Sequence, residues 1–149
     1  MPKVTVTEVV PVRVDAVYQI LSDMAQFPRF MKNVEGIQIL EKGESWTLSQ
    51  WVTRLQGAKF RWVERDTFYP EQGRITFAQT EGDLKVFQGE WRLLAVNGGT
   101  EVTLDTEFEF GIPMLASLLN PVAKLAIREN AREMVRAIGE AAKNSKETL

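Results

Sequence analysis

An α+β domain, in which a curved antiparallel sheet of seven strands wraps one long C-terminal helix, is the architecture this sequence predicts, and two patterns carry the prediction. The first is a series of short segments rich in β-branched and aromatic residues beyond Val34. They are separated by turn signals at Lys42-Gly43-Glu44, Gln56-Gly57, Pro70-Glu71-Gln72-Gly73, Glu81-Gly82-Asp83 and Asn97-Gly98-Gly99. Consecutive hairpins of this kind make a meander. The second is the stretch from Met114 to about Lys143, rich in helix formers, with apolar positions at Leu115, Leu118, Leu119, Val122, Leu125, Ala126, Met134 and Ile138.

The elements follow in order. Lys3 to Val10 is rich in Val and Thr, which suits a half-buried strand, and Pro11 ends it. Val17, Ile20, Leu21 and Met24 then recur at helical spacing behind Asp15, giving a short helix. Phe27-Pro28-Arg29-Phe30-Met31 begins a second short helical turn or a tight loop, because Pro28 disfavours a helical conformation at Phe27. Six strands come next. The last has the clearest alternation, with Val102, Leu104, Thr106, Phe108 and Phe110 on the core face and Glu101, Thr103, Asp105, Glu107 and Glu109 toward water. Gly111-Ile112-Pro113 ends the sheet, and Asn120-Pro121 is expected to kink or divide the long helix. A strongly bent sheet closed by a single helix is hard to fill with side chains, so an internal cavity is expected.

Composition narrows the chemistry. The 149 residues, 44% hydrophobic, suffice for one core, and no linker or repeat divides residues 1–149. The absence of cysteine excludes disulfides and thiolate chemistry, and the absence of histidine removes the commonest general base near neutral pH. Any catalysis falls to carboxylates, Lys, Arg, Tyr, hydroxyls or backbone groups. The net charge of -2 comes from 18 basic and 20 acidic residues spread along the chain, without the basic stretch that tracks phosphates, so no nucleic-acid partner is expected. No signal peptide or membrane-spanning run of ~20 apolar residues is seen, and a soluble cytoplasmic protein without an integral membrane segment is expected. Nothing sets the oligomeric state. The acidic row on the last strand is read as a solvated face, and neither a metal nor a cofactor is expected.

Candidate site residues come from strand faces. On the fourth strand Phe60, Trp62, Glu64, Asp66 and Phe68 share one face, and its aromatic character turns it inward with Glu64 aboard. Glu64 either anchors a ligand hydroxyl and moves protons, its pKa raised by burial, or pairs with Arg54 or another cation. Phe87, Gly89, Trp91 and Leu93 on the sixth strand share a face, with Gly89 leaving room between two aromatics for a ligand or a close helix; ordinary core packing is the other reading. Phe77 and Gln79 on the fifth strand and Thr106 and Phe108 on the seventh extend this surface, Gln79 and Thr106 as its neutral polar contacts. Leu119, Val122, Ala123, Ala126, Ile127 and Asn130 lie near one helical stripe, the alanines leaving space above the sheet. Asn130 either needs a buried partner or faces solvent at the stripe's edge. Phe30, with its aromatic neighbours, forms either a lid at the cavity mouth or a staple over the sheet edge.

A run of segments also resembles a known family. They are Ser22 to Val34, Phe60-Arg61-Trp62, Gly82-Asp83-Leu84, Gly89-Glu90-Trp91-Arg92-Leu93, and Gly99-Thr100-Glu101-Val102-Thr103-Leu104 leading into the long helix. Their order and spacing, across nearly the whole chain, resemble the START-like, birch-pollen-allergen-like superfamily, in its bacterial polyketide cyclase/dehydrase and coenzyme Q-binding-like branch. The resemblance implies a helix-grip fold with a cavity for lipids, quinones, polyketides or other ring-bearing molecules.

Three functions follow as expectations. The first is binding or transport of a small hydrophobic, cyclic ligand, contacted by Phe30, Trp62, Glu64, Phe77, Gln79, Phe87, Trp91, Thr106, Phe108, Leu119, Ala123 and Ile127. The second is an aromatase/cyclase or dehydrase in which Glu64 moves protons and Arg54 or Gln79 polarises the substrate. The third is a protein-interaction module like the superfamily's ribosome-associated toxin, which would use an exposed patch.

Overall fold

The computed structural model describes residues 2–55, 57–109 and 113–148, with side chains described over 2–55, 57–109 and 121–144. The chain runs β1 (Lys3–Val10), α1 (Val14–Ser22), a 3-10 segment (Met24–Arg29), β2 (Val34–Lys42), β3 (Trp46–Leu55), β4 (Ala58–Tyr69), β5 (Arg74–Gly82), β6 (Val86–Val96), β7 (Gly99–Glu109) and α2 (Pro113–Thr148). A single antiparallel sheet has the order β1-β7-β6-β5-β4-β3-β2, so each hairpin pairs with the next and β1 returns to the edge of β7. This is the helix-grip fold expected from the sequence.

Curvature comes from breaks in register. β2 slips twice against β3, between Val34 and Gly36 and between Ile39 and Glu41. β4 and β5 pair as Val63 with Glu81 and then Glu64 with Gln79, leaving Thr80 as an extra residue on β5. Its hydroxyl donates to the Val63 carbonyl at 3.3 Å, and a bulge of this kind bends the sheet and re-aims its neighbours. At Gly89, paired with Phe77 and Thr106, a Cβ would overlap the Asp105 carbonyl oxygen and lie 2.8 Å from the Phe77 ring edge. The space above Gly89 is therefore filled by the Phe77 ring and the β7 backbone, and the missing side chain lets the sheet fold tightly instead of admitting a ligand.

α2 lies in the concave face. Its buried stripe is Ile127, Ala131, Val135, Ile138 and Ala142, spaced by three and four residues, packed among Val4, Val10, Val17, Leu21 and Val102. This corrects the expected apolar face: Val122 and Leu125 are 66% and 68% exposed, because they point well away from the direction of Ile127 around the helix. The helix also continues through Pro121 without dividing. Pro121 itself is exposed. The side chains of Leu115, Leu118 and Leu119 lie outside the described residues.

Two surface readings also change. The outward face of β7 is not fully solvated, since Thr103 and Asp105 are buried. Thr7 meets Thr103 at 3.1 Å, while Asp105 accepts from Thr5 at 2.6 Å and from Arg92. Burial raises the Asp105 pKa, but these bonds overcome it and hold the carboxyl below its usual range. Phe27 and Met31 are buried in the core, with the Phe27 ring edge-on to Phe30 at 5.8 Å and to Trp51 at 5.9 Å. Phe27 thereby packs the segment against β3, the arrangement a staple over the sheet edge requires.

Candidate ligand cavity and its carboxyl pair

Between the concave sheet and α2 lies a cavity walled by Trp51, Thr53 and Leu55 of β3, Phe60, Trp62 and Glu64 of β4, and Phe77 and Gln79 of β5. Phe87 and Trp91 of β6, Leu104 and Thr106 of β7, and Ile127, Asn130, Ala131 and Met134 of α2 complete it, with Arg61, Asp83 and Leu84 also on the wall. Alternation explains the set, because inward positions on each strand fall two apart. The interior is narrow: the walls leave about 60 Å³ for the centre of a water molecule. Since one water needs roughly 10–15 Å³ by this measure, the space takes a few waters or a small ring. Anything larger must displace side chains, and the unbranched Met134 is the most adaptable of them.

The wall is a relay of rings. Trp51 and Trp62, directly paired across β3 and β4, stack with centroids 5.6 Å apart and planes 12° from parallel. Trp62 reaches Phe87 at 5.0 Å, and Phe87 reaches Phe77 at 5.7 Å. Such contacts fix ring positions and leave a flat, apolar surface.

Two polar groups interrupt this surface without partners. Thr53 Oγ1 and Asn130 Oδ1 are buried and make no hydrogen bond among the described residues. The Asn130 amide nitrogen has only a 3.5 Å contact with the Met134 sulfur. Asn130 thus lines the cavity, half-buried, with its Oδ1 out of reach of bulk water. Buried polar atoms of this kind are uncommon and costly, which marks them as places where a ligand or water atom belongs.

The most unusual feature is a pair of buried acids on β4. Glu64 is 3% exposed and Asp66 is fully buried. Asp66 Oδ2 accepts from Ser49 Oγ at 2.5 Å and from Thr47 Oγ1 at 3.0 Å, and Ser49 Oγ in turn accepts from Trp51 Nε1 at 2.8 Å. Trp62 Nε1 donates to Glu64 Oε1 at 2.7 Å. The two acids sit two residues apart on the same inward face of β4. Asp66 Oδ1 is buried and has no hydrogen-bond partner among the described residues. Burial, with the hydrogen bond and charge of Asp66 added, pushes the Glu64 pKa well above the usual carboxylate range, and the Trp62 N–H opposes this only partly. Burial also raises Asp66, against the bonds from Glu64, Ser49 and Thr47.

The residues expected at the site are distributed as follows. Trp62, Glu64, Phe77, Gln79, Phe87, Trp91, Thr106 and Ile127 share the cavity wall. Gln79 has its amide committed, donating to the Leu84 carbonyl at 2.5 Å, so it braces the β5–β6 turn. Arg54 is not in the cavity and does not pair with Glu64: it points from the opposite face of β3 into an exposed ion pair with Glu35, as alternation next to Thr53 requires. Phe30, Phe108 and Ala123 belong to the surrounding core and not to the wall, and the Leu119 side chain lies outside the described residues. Sequence reasoning passed over Thr47, Ser49, Trp51 and Thr53. Their strict alternation was the available signal, hidden by the mixture of small hydroxyls with one large ring.

Comparison with known proteins bears on the family and the fold. Residues 10–135 match the polyketide cyclase / dehydrase and lipid transport family. The actinorhodin polyketide synthase bifunctional cyclase/dehydratase of Streptomyces coelicolor is 27% identical over 109 residues; the match covers 69% of this chain and 34% of that protein, so the chain spans about a third of its relative. Among solved structures, TTHA0849 from Thermus thermophilus superposes with a TM-score of 0.91 at 27% identity, covering 97% of this chain and 99% of that one. The Zhui aromatase/cyclase from Streptomyces sp. R1128 shares the fold, with a TM-score of 0.87 at 19% identity over 95% of this chain and 93% of its own. Among the described residues no helix is long and apolar enough to cross a membrane. With its helix-grip architecture and a family match extending from β1 into α2, the chain belongs to the polyketide cyclase / dehydrase and lipid transport family.

Proposed function

We propose that the cavity binds a small, predominantly apolar, ring-bearing molecule that carries oxygen substituents. The observation that carries this reading is the combination, in one narrow cavity, of a continuous aromatic wall with the unpartnered Thr53 Oγ1 and Asn130 Oδ1. The rings supply a flat apolar surface, and the two polar atoms reward a hydroxyl or carbonyl placed against them. The test is a titration with α-naphthol, followed by quenching of Trp51, Trp62 and Trp91 fluorescence. Saturable binding that is weakened by Thr53→Val supports the reading; absence of saturable quenching in the wild type removes it.

A second reading, a cyclase or dehydratase, is favoured by one specific observation: a carboxyl group with a strongly raised pKa, Glu64, faces the apolar cavity. Acids so tuned serve as proton-transfer groups near neutral pH, and cyclisation and dehydration of polyketide-like chains are proton-transfer reactions. The similarity to the cyclase/dehydratase of Streptomyces coelicolor supports the same reading. Arg54, on the outer face, takes no part in it.

A further inference from the structure

We propose that the cavity's ligand carries a basic amine, held as an ammonium group against the Glu64 carboxyl while its ring lies along Trp62 and Phe87. This inference rests on the reading of the cavity as a site for a small ring-bearing molecule, and adds a positive charge to that molecule.

The inward face of β4 presents acid without a matching cation. Glu64 is 3% exposed and lies on the cavity wall, and Asp66, two residues on, is fully buried with its Oδ1 unpartnered. Buried carboxyl groups are ordinarily matched by a positive charge. Among the described residues no Lys or Arg forms an ion pair with either acid. Arg54 and Lys59 pair with Glu35, Arg65 lies over the Trp46 ring at 4.4 Å, and Arg61, on the wall, is exposed. The sequence from 110 to 120, between β7 and the described side chains of α2, contains neither Lys nor Arg.

The surroundings of Glu64 call for an N–H donor. Across the sheet it faces Ser49 and Gln79, and both have spent their donors, Ser49 on Asp66 at 2.5 Å and Gln79 on the Leu84 carbonyl at 2.5 Å. Trp62 donates one bond to Glu64 at 2.7 Å, and a carboxylate has room for about three more. Burial lifts the Glu64 pKa for want of an opposing charge, and an ammonium group supplies one.

The rings favour the same ligand. Trp62 adjoins Glu64 on the inward face, stacked on Trp51 and 5.0 Å from Phe87, so a cation placed at the carboxyl also meets the electron-rich edge of the aromatic relay. The unpartnered Thr53 Oγ1 lies at the other end of this relay. Thr53 pairs with Phe60, four residues along β4 from Glu64, or about 13 Å of strand. The amine and the oxygen substituent of the ligand therefore occupy opposite ends of the cavity, with the ring between them.

Calorimetric titration with α-naphthylmethylamine and α-naphthylmethanol, which differ only by an ammonium group in place of a hydroxyl, tests the assignment. The wild type is expected to bind the amine at least about tenfold more tightly near neutral pH, since charge-assisted hydrogen bonds are the stronger kind. Glu64→Gln is expected to reduce that preference to within about threefold, and α-naphthol is expected to displace the amine. Equal or weaker binding of the amine by the wild type overturns the proposal, and so does a preference that survives in Glu64→Gln or an amine that bound α-naphthol does not displace. Binding of α-naphthol without any preference for the amine removes the amine and leaves the cavity reading standing, whereas failure of all three naphthalenes to bind removes both. The comparison of amine with alcohol in the wild type decides the matter even if Glu64→Gln does not fold.

Discussion

Trp62 donates its indole N–H to the carboxyl of Glu64, two residues further along the same strand face, at 2.7 Å. The bond joins the two halves of the cavity: the ring belongs to the aromatic relay, and the carboxyl belongs to the polar group at its floor. It also opposes burial, because an N–H donor favours the ionised form of its acceptor. Replacement of Trp62 by Phe removes the donor while keeping a ring, and the Glu64 pKa rises further. Carbon-13 NMR titration of the Glu64 carboxyl, which should show an upward displacement relative to the wild type, checks the sign.

Raised carboxyl pKa values make the fold less stable as pH rises. Above the ordinary range of the unfolded chain, the unfolded state loses protons that the folded Glu64–Asp66 pair retains, so stability falls from about pH 4 toward the folded-state values. Asp105 works in the opposite direction, its lowered pKa stabilising the fold above the unfolded value and losing effect in acid. Glu64→Gln removes the part of the first penalty that Glu64 carries. The expected result is a gain on the order of 1 kcal/mol at neutral pH, as for other relieved functional sites, that vanishes near pH 4. Urea unfolding of both proteins across this range measures it.

Phe27→Ala separates a core residue from a lid. The ring is fully buried against Phe30 and Trp51, so its removal should cost about 3–5 kcal/mol, read as a lower urea midpoint. A mobile lid would lose far less stability and would change the rate of ligand entry instead.

Gly89→Ala tests the bend. A methyl group there meets the Asp105 carbonyl oxygen and the Phe77 ring, neither of which can move without parting β6 from β7 or refilling the cavity wall. A loss of at least about 2 kcal/mol is expected from this overpacking, measured by thermal melting.

Trp91→Ala should weaken α-naphthol binding at least about tenfold, since the ring lies on the cavity wall. Glu109→Ala, at the end of β7 and on its outward face, should leave binding unchanged. Equal affinities for the two variants, measured by fluorescence titration, would remove Trp91 from the ligand's surroundings.

The amino-acid sequence by itself determined the order of elements, the seven-stranded meander and the inward turn of the Trp62-Glu64 face. Each rests on information carried within one strand or one turn: alternation, helical period, or a glycine and proline stop. Tertiary structure alone decided what these faces meet. Arg54 was placed with Glu35 because its neighbour Thr53 faces inward, Val122 and Leu125 were left in water by the rotation of α2, and Phe27 was drawn into the core by Trp51. The bonds from Ser49 and Thr47 to Asp66 arose in the same way. A carboxyl's proton affinity depends on the dielectric and the donors around it, and those are supplied by residues far apart in the chain, brought together only when β3 pairs with β4 and the sheet closes over α2.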